Sequence, residues 1–281
     1  MNDLNAFAQL VRSLAPWQQQ LIFVGGWCHR LHAHHESATK LEQEYLFTRD
    51  SDLLFRGKIP APGQLDQALK DSGFVEQLHG EHKPPASHYT LGTEDQGFYA
   101  EFLTPLHGPA SNKHGVPNAT ATIAGVSAQK LRYLDVLQAD PWTVTIGNDG
   151  VFPLDTATDV LVAHPLRFMV QKFLIKESRS MDKQAQDLLY VYETLQLFGS
   201  CLDEFCQNWH ETVAPSMDKA WAERIKREWL DTARNGGELL TMAAGMATER
   251  PVALTARHMQ MVLRLAYNKI FTPPAPPVVP V

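Results

Sequence analysis

Cysteine is scarce in this chain. There are three, Cys28, Cys201 and Cys206, in 281 residues, and no two form a CxxC pair or a metal-ligand spacing. An odd, unpatterned count excludes a disulfide framework and fits reduced thiols in a cytoplasmic protein. Long apolar runs are missing too. No window approaches the roughly eighteen uninterrupted apolar residues of a spanning helix, so no membrane association is expected. The opening residues Met1-Asn2-Asp3-Leu4 have no basic stretch before an apolar core, which argues against a secretory signal. Positive charge is in deficit: 25 Lys and Arg against 31 Asp and Glu give a formal net charge of -6. Such a surface does not attract nucleic acid as a whole, though a local basic groove is compatible with it. No internal repeat is present.

What the chain has is enough apolar content, 44%, to bury one large core or two modest ones. Leu4, Phe7, Leu10, Val11 and Leu14 recur at helical spacing before Pro16. Leu21 to Val24 reads as a short buried strand, and the stretch from Trp27 to about Tyr45 contains a helix entered directly from Gly26. A strand runs through Asp50 to Phe55, followed by a turn over 57–63 and a short helix marked by Leu65, Ala68 and Leu69 that ends near Gly73. Strands follow at 74–78, 87–91 and 97–103. The segment 107–118, rich in Gly, Pro, Asn and Ser, reads as a loop. Gly147-Asn148-Asp149-Gly150 predicts a hairpin between 143–146 and 151–154. After His164-Pro165 the periodicity becomes helical throughout, and from Thr272 the tail is Pro-rich. Strands first and helices later predict an α+β domain over 1–163, a helical domain over 164–271, and an extended, poorly ordered tail over 272–281.

Two elements near the start carry chemistry. Val24-Gly25-Gly26 ends a strand in a diglycine, which allows backbone N–H groups to approach a phosphate at the start of a helix. Asp50-Ser51-Asp52 lies on a strand, where period-two alternation points both carboxylates to one face. Glu101 is an acid inside the otherwise apolar Phe98–Leu103 run, a costly place unless it is paired or binds a cation. If the two strands are neighbours, Asp50, Asp52 and Glu101 can converge on Mg²⁺, or Mn²⁺ in its place, as hard oxygen ligands beside a nucleoside triphosphate. Glu101 could also help deprotonate an acceptor hydroxyl. Thr48 could add a hydroxyl at the edge of the site. Arg30, one turn beyond Gly26, could face the triphosphate or form a structural ion pair. Each piece alone has an ordinary explanation: a turn, a solvated strand edge, an exposed acid. Their combination in this order is far more specific.

Other clusters are less directive. His29, His32, His34 and His35 crowd one segment without a complete zinc ligand set, and read as surface histidines. His107, Lys113 and His114 sit in a loop that reads as a connector. Trp209, Trp221 and Trp229 read as core or interface anchors. Lys172, Lys176, Arg179 and Lys183 would form one basic stripe if their helix is continuous, facing phosphates or paired with Glu177, Asp182 and Asp187.

Val24-Gly25-Gly26, Asp50-Ser51-Asp52 and Glu101 together resemble the signature of the DNA polymerase β-like nucleotidyltransferase superfamily. The chain looks closest to a bacterial branch related to abortive-infection and toxin–antitoxin enzymes. Pro165-Leu166-Arg167-Phe168, Lys172, Arg179, Lys183 and Asp187 match a second segment of that branch, and the resemblance runs over about 23–198. Two positions depart from the pattern. Gln186-Asp187 stands where the branch has Lys-Asp, and Ser51 stands where it has an apolar residue. The resemblance implies a mixed sheet flanked by helices and followed by a C-terminal helical domain. It implies Mg²⁺-dependent transfer of an NMP from an NTP to a hydroxyl of RNA or tRNA, a protein or a small molecule, with pyrophosphate released. Lys172 and Lys183 would join Gly25, Gly26 and Thr48 in holding the nucleotide. A toxin or defence role with an antitoxin-like partner would follow. The alternative is a catalytically inactive copy of the fold, acting as nucleotide sensor or protein-binding module.

Overall fold

The computed structural model describes residues 3–42, 48–57, 63–80, 85–92, 97–111, 115, 117–247 and 253–273. The chain divides into two units. One comprises Met1–Glu36 and Phe47–His164, the other Ser37–Leu46 and Pro165–Val281. The second unit thus takes in residues 37–46, tied to it by the Thr39 N–H donating to the Leu197 carbonyl at 2.8 Å.

The first unit is a mixed sheet flanked by helices. Its elements are α1 (Asp3–Ser13), β1 (Leu21–Val24), α2 (Gly25–His32), β2 (Asp50–Phe55), α3 (Leu65–Asp71), β3 (Val75–His79), β4 (Ala86–Leu91) and β5 (Phe98–Pro105). Then come β6 (Thr120–Ile123), β7 (Val126–Leu131), α4 (Asp135–Gln138), β8 (Trp142–Ile146) and β9 (Thr158–Val162). The strand order is β3-β4-β5-β2-β1-β9-β8, with β7 also pairing β5 and β6 pairing β7. β1 lies near the middle, antiparallel to β2 and parallel to β9, and is buried along its length. That explains an apolar run without alternation.

β2 alternates: Asp50 and Asp52 are half-buried, Ser51 fully buried. β5 does the same, with Tyr99 and Glu101 on the half-buried side and Phe98, Ala100 and Phe102 on the covered side. α1 and α2 pack on the covered side. Phe7 stacks on Trp27 at 4.0 Å between centroids, and Trp27 meets Phe98 edge-on at 5.8 Å. The acids therefore stand on the opposite face from the packed helices.

Several expectations need correction. The helix entered from Gly26 ends at His32, and the stretch toward Tyr45 partly lies outside the described residues, as do Lys113, His114, most of the 57–63 turn and the tail from 274. His29 and His32 are not surface residues; both are fully buried, because α2 turns that side toward the core. The partner of 143–146 is β9, not 151–154, since the connection after Ile146 is longer than the four-residue turn signal suggested. The β6–β7 hairpin, absent from the sequence reading, turns at Ala124 (φ 51) and Gly125 (φ 89). Two positive-φ residues give the sense of turn that fits strand twist, but Ala-Gly lacks the Asn-Gly signal.

The second unit is helical: α5 (Pro165–Ile175), α6 (Met181–Leu197), α7 (Leu202–Asn208), α8 (Lys219–Asn235), α9 (Gly237–Met246) and α10 (Ala256–Phe271). Its core gathers Trp229, Phe173 and Phe271. Trp229 stacks on Phe173 at 4.7 Å and donates its indole N–H to the Leu263 carbonyl at 3.0 Å. Trp209 is also buried, against Phe271. The basic residues of 172–183 do not form one stripe. α5 stops at Ile175, 176–178 is a single 3₁₀ turn, and Arg179 is extended. Lys172 and Arg179 instead converge on buried Asp187, at 2.8 and 3.2 Å. Lys176 turns to Glu228 and Thr232.

Two predictions follow from these buried polar groups. Lys172→Met removes the buried partner of Asp187, leaving it to the more exposed Arg179, and should cost up to about 3–5 kcal/mol in urea denaturation, while Lys172→Met/Asp187→Leu regains most of it. His32 donates from Nε2 to the Ala163 carbonyl at 2.8 Å, and burial pulls its pKa down to about 4 from 6.5. Its contribution to stability is whole above pH 6.5 and is lost as pH falls toward 4. At about 1.4 kcal/mol per pKa unit, the loss approaches about 3 kcal/mol. Denaturation curves across that window should be flatter for His32→Leu than for the parent.

Candidate active site

Strand register builds the site. β2 and β5 run parallel, with Asp50 opposite Tyr99 and Asp52 opposite Glu101. β4 adds His88 opposite Glu101 and Thr90 opposite Tyr99. Directly opposed residues project to the same side of a sheet. Asp50, Asp52, Tyr99, Glu101 and His88 therefore share one face.

On its other edge, Asp52 is opposite Val24, the residue before the diglycine. Gly25 has φ +64 and lies directly against the Asp52 side chain; a Cβ there would sit 3.1 Å from the Asp52 Cγ and closer still to Oδ2. Both the backbone angle and the space demand glycine. The strand-to-helix bend thus brings the N-terminus of α2 onto the Asp52 carboxylate.

The acids already have protein donors. The Thr48 hydroxyl donates to Asp50 Oδ1, and His88 Nε2 stands 3.0 Å from Glu101 Oε1. The His88 ring stacks on Tyr99, 5.6 Å between centroids and 12° between planes. Burial and the charges of Asp50, Glu101 and Asp52 push the Tyr99 hydroxyl up to about 12, so all three carboxylates act on one phenol. Among the described residues, no three His, Cys, Asp or Glu side chains form a group that could hold a metal ion as they stand.

The structure thus brings together Asp50, Asp52, Glu101, Thr48, Gly25 and Gly26. Arg30 lies farther along α2, its guanidinium 4.9 Å from the Trp27 ring centre. Lys172 and Lys183 belong to the second unit and do not share surroundings: Lys172 is buried with Asp187, while Lys183 is exposed beside Gln186. His88 and Tyr99 were missed in the sequence. Tyr99 was legible two residues before Glu101 on the same face; His88 had no local signal, since only the antiparallel β4–β5 register places it there.

A family described as Nucleotidyltransferase matches residues 2–214 of this chain. The chain belongs to the nucleotidyltransferase family. No curated protein matches it. Among solved structures, this nucleotidyltransferase is similar to JHP933 from Helicobacter pylori, at 13% identity and TM-score 0.42, over 94% of this chain and 90% of that one. It is also similar to MenT4, a nucleotidyltransferase toxin from Mycobacterium tuberculosis H37Rv, at 12% identity and TM-score 0.37, over 95% and 82%. Among the described residues no helix is long and apolar enough to cross a membrane.

Gly25→Ala combines a left-handed backbone angle, costing about 1–2 kcal/mol, with a collision against Asp52. It should lower the melting temperature and abolish NTP binding measured by calorimetry. His88→Leu should reduce turnover or metal affinity about 10- to 100-fold, the usual cost of removing a residue that orients a ligand. His88→Gln, which keeps a donor, should recover part of that loss.

Proposed function

We propose that this nucleotidyltransferase moves a nucleoside monophosphate from an NTP to a hydroxyl-bearing acceptor, releasing pyrophosphate. The observation that carries the reading is the position of Asp52, between Glu101 on one neighbouring strand and the diglycine end of the other. Backbone N–H groups of Gly25 and Gly26 would donate to triphosphate oxygens, with Arg30 as a further donor.

The donor set fits a hard divalent cation. Three carboxylates share one half-buried face, and their combined charge is felt by Tyr99. Asp50, Asp52 and Glu101 would hold Mg²⁺, or Mn²⁺. When bound, such an ion supplies neutralising charge for the triphosphate and the departing pyrophosphate, and acidifies the acceptor hydroxyl. In the transfer, the acceptor oxygen bonds to the α-phosphorus. The bond between α-phosphorus and bridging oxygen breaks, its electron pair leaving on pyrophosphate. Glu101, with Oε1 held by His88, receives the hydroxyl proton on Oε2. Thr48 keeps Asp50 oriented. The acceptor is RNA, a protein or a small molecule, and following labelled NMP into each class identifies it.

One observation favours a second reading, a nucleotide sensor or protein-binding module that does not turn over. Asp50 and Glu101 already bond protein donors, and no metal-holding group stands preformed among the described residues. Calorimetric titration of NTP with Mg²⁺, alongside pyrophosphate release on the three acceptor classes, separates the readings. The transferase should bind NTP only with metal and release pyrophosphate, and Asp52→Ala should lower that rate about a thousandfold, or about 4 kcal/mol of barrier. Metal-dependent binding without turnover on any acceptor would establish the sensor. Neither binding nor turnover would contradict both.

A further inference from the structure

The second unit has a cleft between α8 and α10 that the catalytic reading does not use. Its volume is about 710 Å³, and its walls include Arg234, Arg257, His258, Met261, Arg264 and Leu265. α10 turns Met259, Leu263, Ala266 and Ile270 inward and is strongly amphipathic. Its outward face departs from the usual polar pattern. Met261 and Leu265, one turn apart, are 55% and 60% exposed, with Arg257 and Arg264 beside them on the same face.

Charge in this cleft runs against the whole chain. The protein carries -6, yet three arginines line the cleft and, among the described residues, no acidic residue does. Several other cations of this unit pair with carboxylates: Arg224 with Glu177, Lys226 with Glu223, Lys269 with Asp203. Among the described residues, no carboxylate pairs with Arg234, Arg257 or Arg264.

The mixture selects the ligand chemistry. A phosphate chain would neutralise the arginines but leave Met261 and Leu265 wet. An apolar helix would cover the two apolar side chains and leave three guanidiniums unmatched. All the cations that line the cleft, His258 aside, are arginine, the residue that binds carboxylates with two parallel hydrogen bonds and tolerates desolvation better than lysine. Arginine and methionine are also enriched in protein interfaces. We propose that this cleft docks an acidic amphipathic helix of a protein partner. The apolar stripe of that helix lies on Met261 and Leu265, and its carboxylates face Arg257, Arg264 and Arg234. This surface is independent of the transfer reaction.

The test uses the full-length protein and a fluorescent helical peptide with leucines at i, i+3, i+4 and i+7 flanked by glutamates, followed by anisotropy. Saturable binding is expected, weakened about tenfold or more by Arg257→Glu/Arg264→Glu and by Met261→Ser/Leu265→Ser. The charge-reversed variant should recover binding to the same peptide with lysines in place of glutamates, a result that a merely misfolded variant could not give. Circular dichroism melts confirm that each variant folds. Absence of saturable binding would overturn the proposal. So would binding unchanged in both variants, equal binding of a peptide with glutamines for glutamates, or binding of a single-stranded RNA at this cleft in place of the peptide.

Discussion

The site depends on one close approach: the bare Cα of Gly25 against the carboxylate of Asp52. β1 must end at Val24 opposite Asp52 for this to occur, and the chain must then bend with a positive φ that only glycine adopts freely. The same approach brings the α2 N-terminus to the acid. A shift of one residue in the β1–β2 register would send Asp50 and Asp52 to the face covered by α1 and α2, where charged groups have no water. Burial of Phe7, Trp27 and Phe98 on that face is therefore what keeps the acids on the other.

From that point the register carries outward. β5 beside β2 adds Glu101 and Tyr99, and β4 beside β5 adds His88. The acids share a face through strand pairing rather than through a loop, so their backbone positions are held by ladder hydrogen bonds. Thr48 and His88 then fix two of the side chains. The second unit handles charge differently. Asp187 is buried between Lys172 and Arg179, joining residues on either side of the break between α5 and α6. Several of its cations close on carboxylates, while among the described residues the arginines of the α8–α10 cleft do not.

Much of the first unit was legible in the sequence because its signals are local. The unalternating run Leu21–Val24 marked a central strand, and Asp50-Ser51-Asp52 marked a strand with one polar face. Ser51 looked like a departure, yet it is fully buried on the covered side, where a small residue fits among larger ones. The less legible features depend on distant contacts. His88 enters the site only through antiparallel pairing across two strands. His29 and His32 are buried because α2 turns them inward, and composition alone made them look exposed. At 172–183 the spacing of four, three and four suits a continuous helix, so the break is unmarked, while pairing with Asp187, the alternative to a stripe facing phosphates, is what Lys172 and Arg179 make. Nothing local announces the extended Arg179. The Ala124-Gly125 turn lacked the side chain that usually flags its type.

The central claim is that Asp50, Asp52 and Glu101 form one cation site beside the diglycine bend. Anomalous diffraction from crystals soaked with Mn²⁺ and a non-hydrolysable NTP analogue tests it most directly. The account predicts a manganese peak within about 2–2.5 Å of carboxylate oxygens from Asp52 and at least one of the other two acids, with the triphosphate at the Gly25-Gly26 backbone. A peak held by other residues, or a bound nucleotide remote from these acids, would contradict it.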